Sequence, residues 1–244
     1  MKKTVLIGIS CMILIAYGLQ AQTQQDDVKN SMIYKLQRGV YNRSLKYSDP
    51  NIAIMALYNL CTLDPRNDSL LFDLQYLYFN SQEYISSILV ANDVLLLNSN
   101  NTHSQEMKAL SLERVGANDK AIDEYESLYL KHNNNISYLY KTAALQFTVK
   151  RYKEAKTNID ILLTQNMADS IQMAFPKGDS AQQKVSMKAS LYNLKGLVDQ
   201  AMGNKEDAKA DFNKALEIVP DFYLAKQNLD SLNVRLNKPV TKPK

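Results

Sequence analysis

Apolar positions in this chain follow two patterns. The first is an unbroken run from Thr4 to Leu19, with Lys2 and Lys3 before it and a polar stretch from Gln22 to Asp27 after it. The second is periodic. Ala53, Ser87, Ala121 and Ala155 lie 34 residues apart, and a comparable alanine, Ala208, follows after 53 more. Four residues after each stand Leu57, Ala91, Tyr125, Ile159 and Phe212, and seven after stand Leu60, Val94, Leu128, Leu162 and Ala215. All ten are apolar, and offsets of 0, 4 and 7 share one face of an α-helix. The pattern therefore predicts a helix in each unit, with Ala53, Ser87, Ala121, Ala155 and Ala208 on its inward face.

A second helix precedes each of these. Twelve residues upstream of the five reference positions stand Tyr41, Gln75, Ala109, Ala143 and Gly196, the last three of them small. Small side chains at a crossing let two helices approach to about 8 Å. Ser48-Asp49-Pro50 reads as a helix N-cap followed by proline in the first turn. Gly116 and Gly203 fall between the two helices of their units, and Pro65 and Pro220 stop the second helix of the first and last. A helix pair alone leaves an apolar face wet, so neighbours must stack to bury it.

The last unit, with Tyr192, Gly196, Gly203, Ala208, Phe212, Ala215 and Pro220, resembles the units of the tetratricopeptide-repeat (TPR) family, exported bacterial type. The resemblance covers roughly 34–222, in five units starting near Tyr34, Asp68, Thr102, Ile136 and Ala189. It is weaker in the middle, where Gln105, Lys108 and Gln146 replace apolar residues. It implies an all-α fold, a right-handed superhelical solenoid of about five helix pairs. The segment 223–236, with Leu224, Leu229 and Leu232 among Lys226, Gln227 and Asp230, is expected to cap it as a last helix. The extra residues near 167–187 predict a loop, with a turn at Phe175–Ser180 and a lengthened helix from near Ser180. They read either as a tolerated surface insertion or as a flap beside a binding groove. The tail 237–244 is expected to be disordered.

The first pattern bears on location. A basic start, an apolar middle and a small residue before a polar segment mark a secretory leader, residues 1–21, with cleavage after Ala21. Residues 22–33 then form a polar linker and the start of the first helix. At 16 residues the run is short of the ~20 that span a bilayer as a helix. Membrane contact is expected only through this leader, if it is retained. The expected location is the periplasm or the extracellular space. Without the leader, Cys61 is the only cysteine, so neither an internal disulfide nor a thiolate metal site is available. Removing Lys2 and Lys3 leaves 27 basic against 25 acidic residues, a balance that does not call for nucleic acid.

Chemistry is sparse. The chain has two histidines, His103 and His132, without metal-pair spacing. It has no glycine-rich phosphate loop, G-x-S-x-G or H-E-x-x-H. The carboxylates Asp119, Asp123, Glu124 and Glu126 read as a solvated helix face. No enzyme activity, metal or cofactor is expected.

In the TPR family the first helix of each unit lines a concave groove. Carried over, that face includes Arg38 and Asn42 in the first unit, Phe72, Tyr76 and Phe79 in the second, Leu110 in the third, and Tyr140 and Phe147 in the fourth. Aromatic residues anchor protein interfaces. The expected partner is therefore another protein or a peptide segment held in an apolar groove, which makes the chain a scaffold or adaptor of the cell envelope. The same residues would serve a glycan or peptidoglycan-fragment binding module, or self-association into a structural protein. One TPR subgroup clamps a C-terminal carboxylate with basic and amide side chains. Here Arg38 and Asn42 match its first pair, but Asp73, His103 and Met107 replace the rest, and Asp73 would repel the ligand.

Overall fold

The computed structural model describes residues 27–132, 135–178 and 181–236. The expected leader and the tail from Asn237 lie outside the described residues. The fold is all-α, a solenoid of TPR-like helix pairs. In chain order the long helices are α1 (Met32–Lys46), α2 (Pro50–Leu63), α3 (Asp68–Asn80), α4 (Tyr84–Leu97), α5 (Thr102–Arg114), α6 (Asn118–Lys131), α7 (Ile136–Thr148) and α8 (Tyr152–Leu163). A 3₁₀ turn and a β-hairpin follow, then α9 (Met187–Met202), α10 (Lys205–Ile218) and α11 (Tyr223–Leu236). The chain divides into two compact units, one ending at Val115 and the other beginning at Gly116.

The 34-residue period is written into the turns as well as the core. Between repeats, Asn67, Asn101 and Asn135 each cap the next first helix. Their side-chain oxygens accept from Leu70 N at 3.3 Å, Ser104 N at 3.0 Å and Ser137 N at 3.1 Å. Each cap satisfies a backbone donor that the first helical turn leaves orphaned. Within pairs, the chain reverses through a left-handed residue: Ser48 (φ 56°), Gln82 (φ 62°), Gly116 (φ 76°), Lys150 (φ 65°) and Gly203 (φ 90°). Asp49, Glu83, Arg151 and Asn204 then donate back to the carbonyls of Ser44, Tyr78, Gln146 and Asp199 at 2.8–2.9 Å. This is the Schellman closure of a helix C-terminus. Ser48 therefore ends α1, and Asp49 alone caps α2, accepting from Ile52 N at 3.2 Å.

In the first unit the core joins Tyr41, Ala53, Ala56, Leu57 and Leu60 to Leu70, Leu74, Leu77, Tyr78, Val90 and Val94. Two polar residues at core positions of this unit are paired. Gln75, fully buried, donates to Ser104 O at 3.0 Å and accepts from Ser104 Oγ at 2.6 Å. Ser87, in an alanine's place, accepts from Ser111 Oγ at 3.2 Å.

In the second unit the core joins Ile136, Leu139, Ala143, Ala155, Ile159 and Leu162 to Leu191, Leu194 and Val198. Buried Gln146 accepts from Asn158 Nδ2 at 2.8 Å. Asp199, wholly buried, meets Lys156 Nζ at 2.5 Å and Asn204 Nδ2 at 3.1 Å.

The insertion differs from expectation. Residues 181–186 are not the start of a lengthened helix, and 172–177 are not loop. Gln172–Lys177 (β1) and Ala181–Ser186 (β2) pair antiparallel, with Phe175 opposite Gln183. The reason is what lies beneath them. Val185 joins a core with Ala189, Ala215, Phe222 and Ala225, and the Phe175 ring packs 5.6 Å from that of Phe222. Alternate strand residues reach that core. Gln183 also supplies the cap that α11 lacks. It accepts from Tyr223 N at 3.0 Å and donates to Asp221 O at 2.8 Å. Phe222 occupies the place held by asparagine in earlier repeats, so the cap comes from the hairpin instead.

Candidate partner-binding site

The first unit presents the first helices α1, α3 and α5. On α3, Leu70, Leu74, Leu77 and Tyr78 face the core, so the remaining positions set the outer surface. Tyr76 is 51% exposed. Phe72 is half-buried and packs on the core beneath it. Phe79 is half-buried as well, its ring meeting Tyr84 edge-on at 5.7 Å. On α1, Arg38 and Asn42 are exposed. The Arg38 guanidinium carbon lies 5.4 Å from the centre of the Tyr41 ring. Leu110, on α5, is half-buried. This face is thus an aromatic stripe on α3 beside a cation on α1.

Asp73 sits on the same helix, half-buried, with the Tyr41 hydroxyl and Arg38 near. Burial pushes its carboxyl above the ordinary value; the nearby Tyr41 hydroxyl and Arg38 pull it back only in part. Tyr41 in turn is pushed up to about 12 by burial and by the Asp73 charge. The arrangement does not suit a carboxylate ligand, since a partner's anion would face Asp73 at close range.

In the second unit the two chosen aromatics fare differently. Tyr140 does not line an open surface. It is buried, and its hydroxyl lies 2.5 Å from Ser190 Oγ on α9, a bond that ties α7 to α9. The sequence pattern could not reveal this, because the partner is 50 residues away. Phe147 is half-buried, packing on the core and against Tyr152 at 5.9 Å between ring centres.

Apolar surface also occurs where none was expected. On the second helices α2 and α4, Met55 is 60% exposed, Leu89 61% and Leu96 84%. The available signal was the composition of α4, which holds a single charge, Asp93, among fourteen residues. Cys61 is half-buried, and burial, then Asp64 and Asp73, push its thiol up to about 11, so it is a poor nucleophile at neutral pH. Among the described residues no three potential ligands gather to hold a metal ion, and no helix is long and apolar enough to cross a membrane.

No protein-family model and no curated protein matches the sequence. Solved structures do resemble the fold. MamA from Desulfovibrio magneticus RS-1 aligns with a TM-score of 0.57 at 14% identity, over 79% of this chain and 98% of its own. YrrB, described as a TPR protein with an unusual peptide-binding site, aligns with a TM-score of 0.59 at 14% identity, over 77% of this chain and 87% of its own. At such identity the likeness shows a TPR-like fold.

Proposed function

We propose that this chain is a non-enzymatic scaffold that binds a segment of another protein on the outer face of its first helices, and that it works in the cell envelope. The observation that carries the reading is α3. Its inner face is committed to the core, yet it places Tyr76, half-exposed, beside Phe72 and Phe79 on the other side. A helix apolar on both faces serves an additional contact. YrrB, which shares the fold, is described by its peptide-binding site, and that supports a peptide ligand here. The leader-like start, Met1 to Ala21, supports export.

The test is affinity capture from envelope extract with the chain and with its Tyr76→Glu variant. Tyr76 is exposed enough to leave folding intact, which a melting curve checks. A discrete partner captured by the chain and lost with the variant is the expected result. Loss of an aromatic anchor costs about 2 kcal/mol of binding, some thirtyfold in affinity. A partner retained at equal yield would overturn the assignment of the site to α3.

A further inference from the structure

Among the described residues, no helix covers the face of α1 that a preceding repeat's second helix would take. Every first helix after α1 packs against the second helix of the repeat before it. In α3 the residues covered in this way are Leu70, Leu74 and Leu77, which α2 and its neighbours hold at 2%, 2% and 8% exposure. The equivalent residues of α1, 34 positions earlier, are Leu36, Val40 and Arg43. Leu36 is 62% exposed. Together with Gly39 and Ile52 these residues line an open groove of about 440 Å³ between α1 and α2. Lys35 and Arg43 form part of its wall, with one carboxylate, Asp49, which is engaged in capping α2. In the second unit the last helix pair is covered by α11, whose exposed residues include Lys226, Gln227 and Asp230.

We infer that this groove receives an acidic amphipathic helix from another protein, in the place a preceding repeat's second helix would take. The array itself shows that a helix is what fits such a face. Charge selects which helix. α1 carries Lys35, Arg38, Arg43 and Lys46 and no acidic residue, and α2 carries no charge at all. An apolar stripe flanked by Glu or Asp satisfies both the groove and its rim. A second copy presenting the same face would set these cations against one another, and the outer face of α11 is too polar to enter.

The site is separate from the α3 face, so each can fail alone. The probe is a labelled synthetic helix of about 15 residues, long enough to run the length of α1, with leucines on one face and glutamates flanking them. Its partner control replaces the glutamates with lysines. Fluorescence anisotropy with the full chain is expected to show saturable binding of the acidic peptide only. Leu36→Glu should weaken it by at least about tenfold, and Arg43→Glu or a rise from roughly 0.05 to 0.5 M salt by several-fold. Tyr76→Glu should leave it unchanged. Equal binding of both peptides, or undiminished binding to Leu36→Glu, overturns the inference. So does a dimer in light scattering that Leu36→Glu abolishes, which would give the groove to a second copy. Binding that appears only after deletion of residues 1–26 would give it to the chain's own start and overturn the inference equally.

Discussion

Gly196 and Phe212 are in contact so close that any side chain at 196 must push the ring aside. A Cβ built on Gly196 would lie 2.6 Å from Phe212 Cε1. The absent side chain on α9 is what lets the ring of α10 lie fully buried against the backbone. Gly196→Ala is therefore expected to destabilise the fold by about 1–3 kcal/mol through overpacking, despite alanine's better helix propensity. Phe212→Leu, which costs stability alone by opening a cavity, should recover part of the loss in the double variant. Urea unfolding of the four proteins measures the coupling; additive effects would show that the ring moves aside freely.

The left-handed residue in each within-pair turn offers a second check. Gly116 and Gly203 occupy it without strain, whereas Ser48, Gln82 and Lys150 hold the same conformation with a Cβ. A side chain in this region costs roughly 1–2 kcal/mol, and glycine's extra freedom in the unfolded chain offsets part of the gain. Gln82→Gly and Lys150→Gly should each stabilise the protein by about 0.5–1 kcal/mol. Gly203→Ala should destabilise it by a similar amount. Thermal melts of the three variants should shift in opposite directions.

These elements also show what the sequence could reveal. The all-α class was legible because core positions recur at the spacing of a helix face, and small residues such as Ala143 and Gly196 mark where helices meet. The turn residue at 48, 82 and 150 was not legible, because a left-handed conformation is visible in sequence only when glycine holds it. The hairpin was missed for a different reason. Its strands are short and mostly polar, with Phe175 and Val185 as their main inward anchors, too few alternations to outweigh the turn signal at Gly178. Tyr140 looked like groove surface because its position matched, but it joins the core with Leu191 and Leu194 and bonds Ser190, all on a helix some 50 residues on.

Gln183 is expected to act on a helix 40 residues away. It accepts from Tyr223 N and donates to Asp221 O, so it caps α11 from the hairpin. Gln183→Ala leaves both backbone groups without that partner and should cost about 1–2 kcal/mol. Hydrogen exchange should speed up in the first turn of α11 while α7 and α8 keep their protection. A uniform change across the chain would mean that α11 unfolds only with the whole.

The last expectation concerns pH and Asp73. Burial raises its carboxyl above 3.8, and the Tyr41 hydroxyl and Arg38 do not cancel the effect. A carboxyl raised by folding holds its proton more tightly in the folded state than in the unfolded chain. Its charge therefore opposes folding: relative stability is highest below the unfolded pKa and falls as pH rises through the folded one. Asp73→Asn removes the charge at nearly the same size and shape. The variant should melt higher than the parent at about pH 7, and the gap should close as pH falls to about 2.5, well below the unfolded carboxyl's ordinary value, where both side chains are neutral. Melting followed by helical circular dichroism across that range decides it. A gap that stayed constant with pH would mean that the gain comes from packing, and one of the opposite sign that Arg38 and Tyr41 already stabilise the carboxylate.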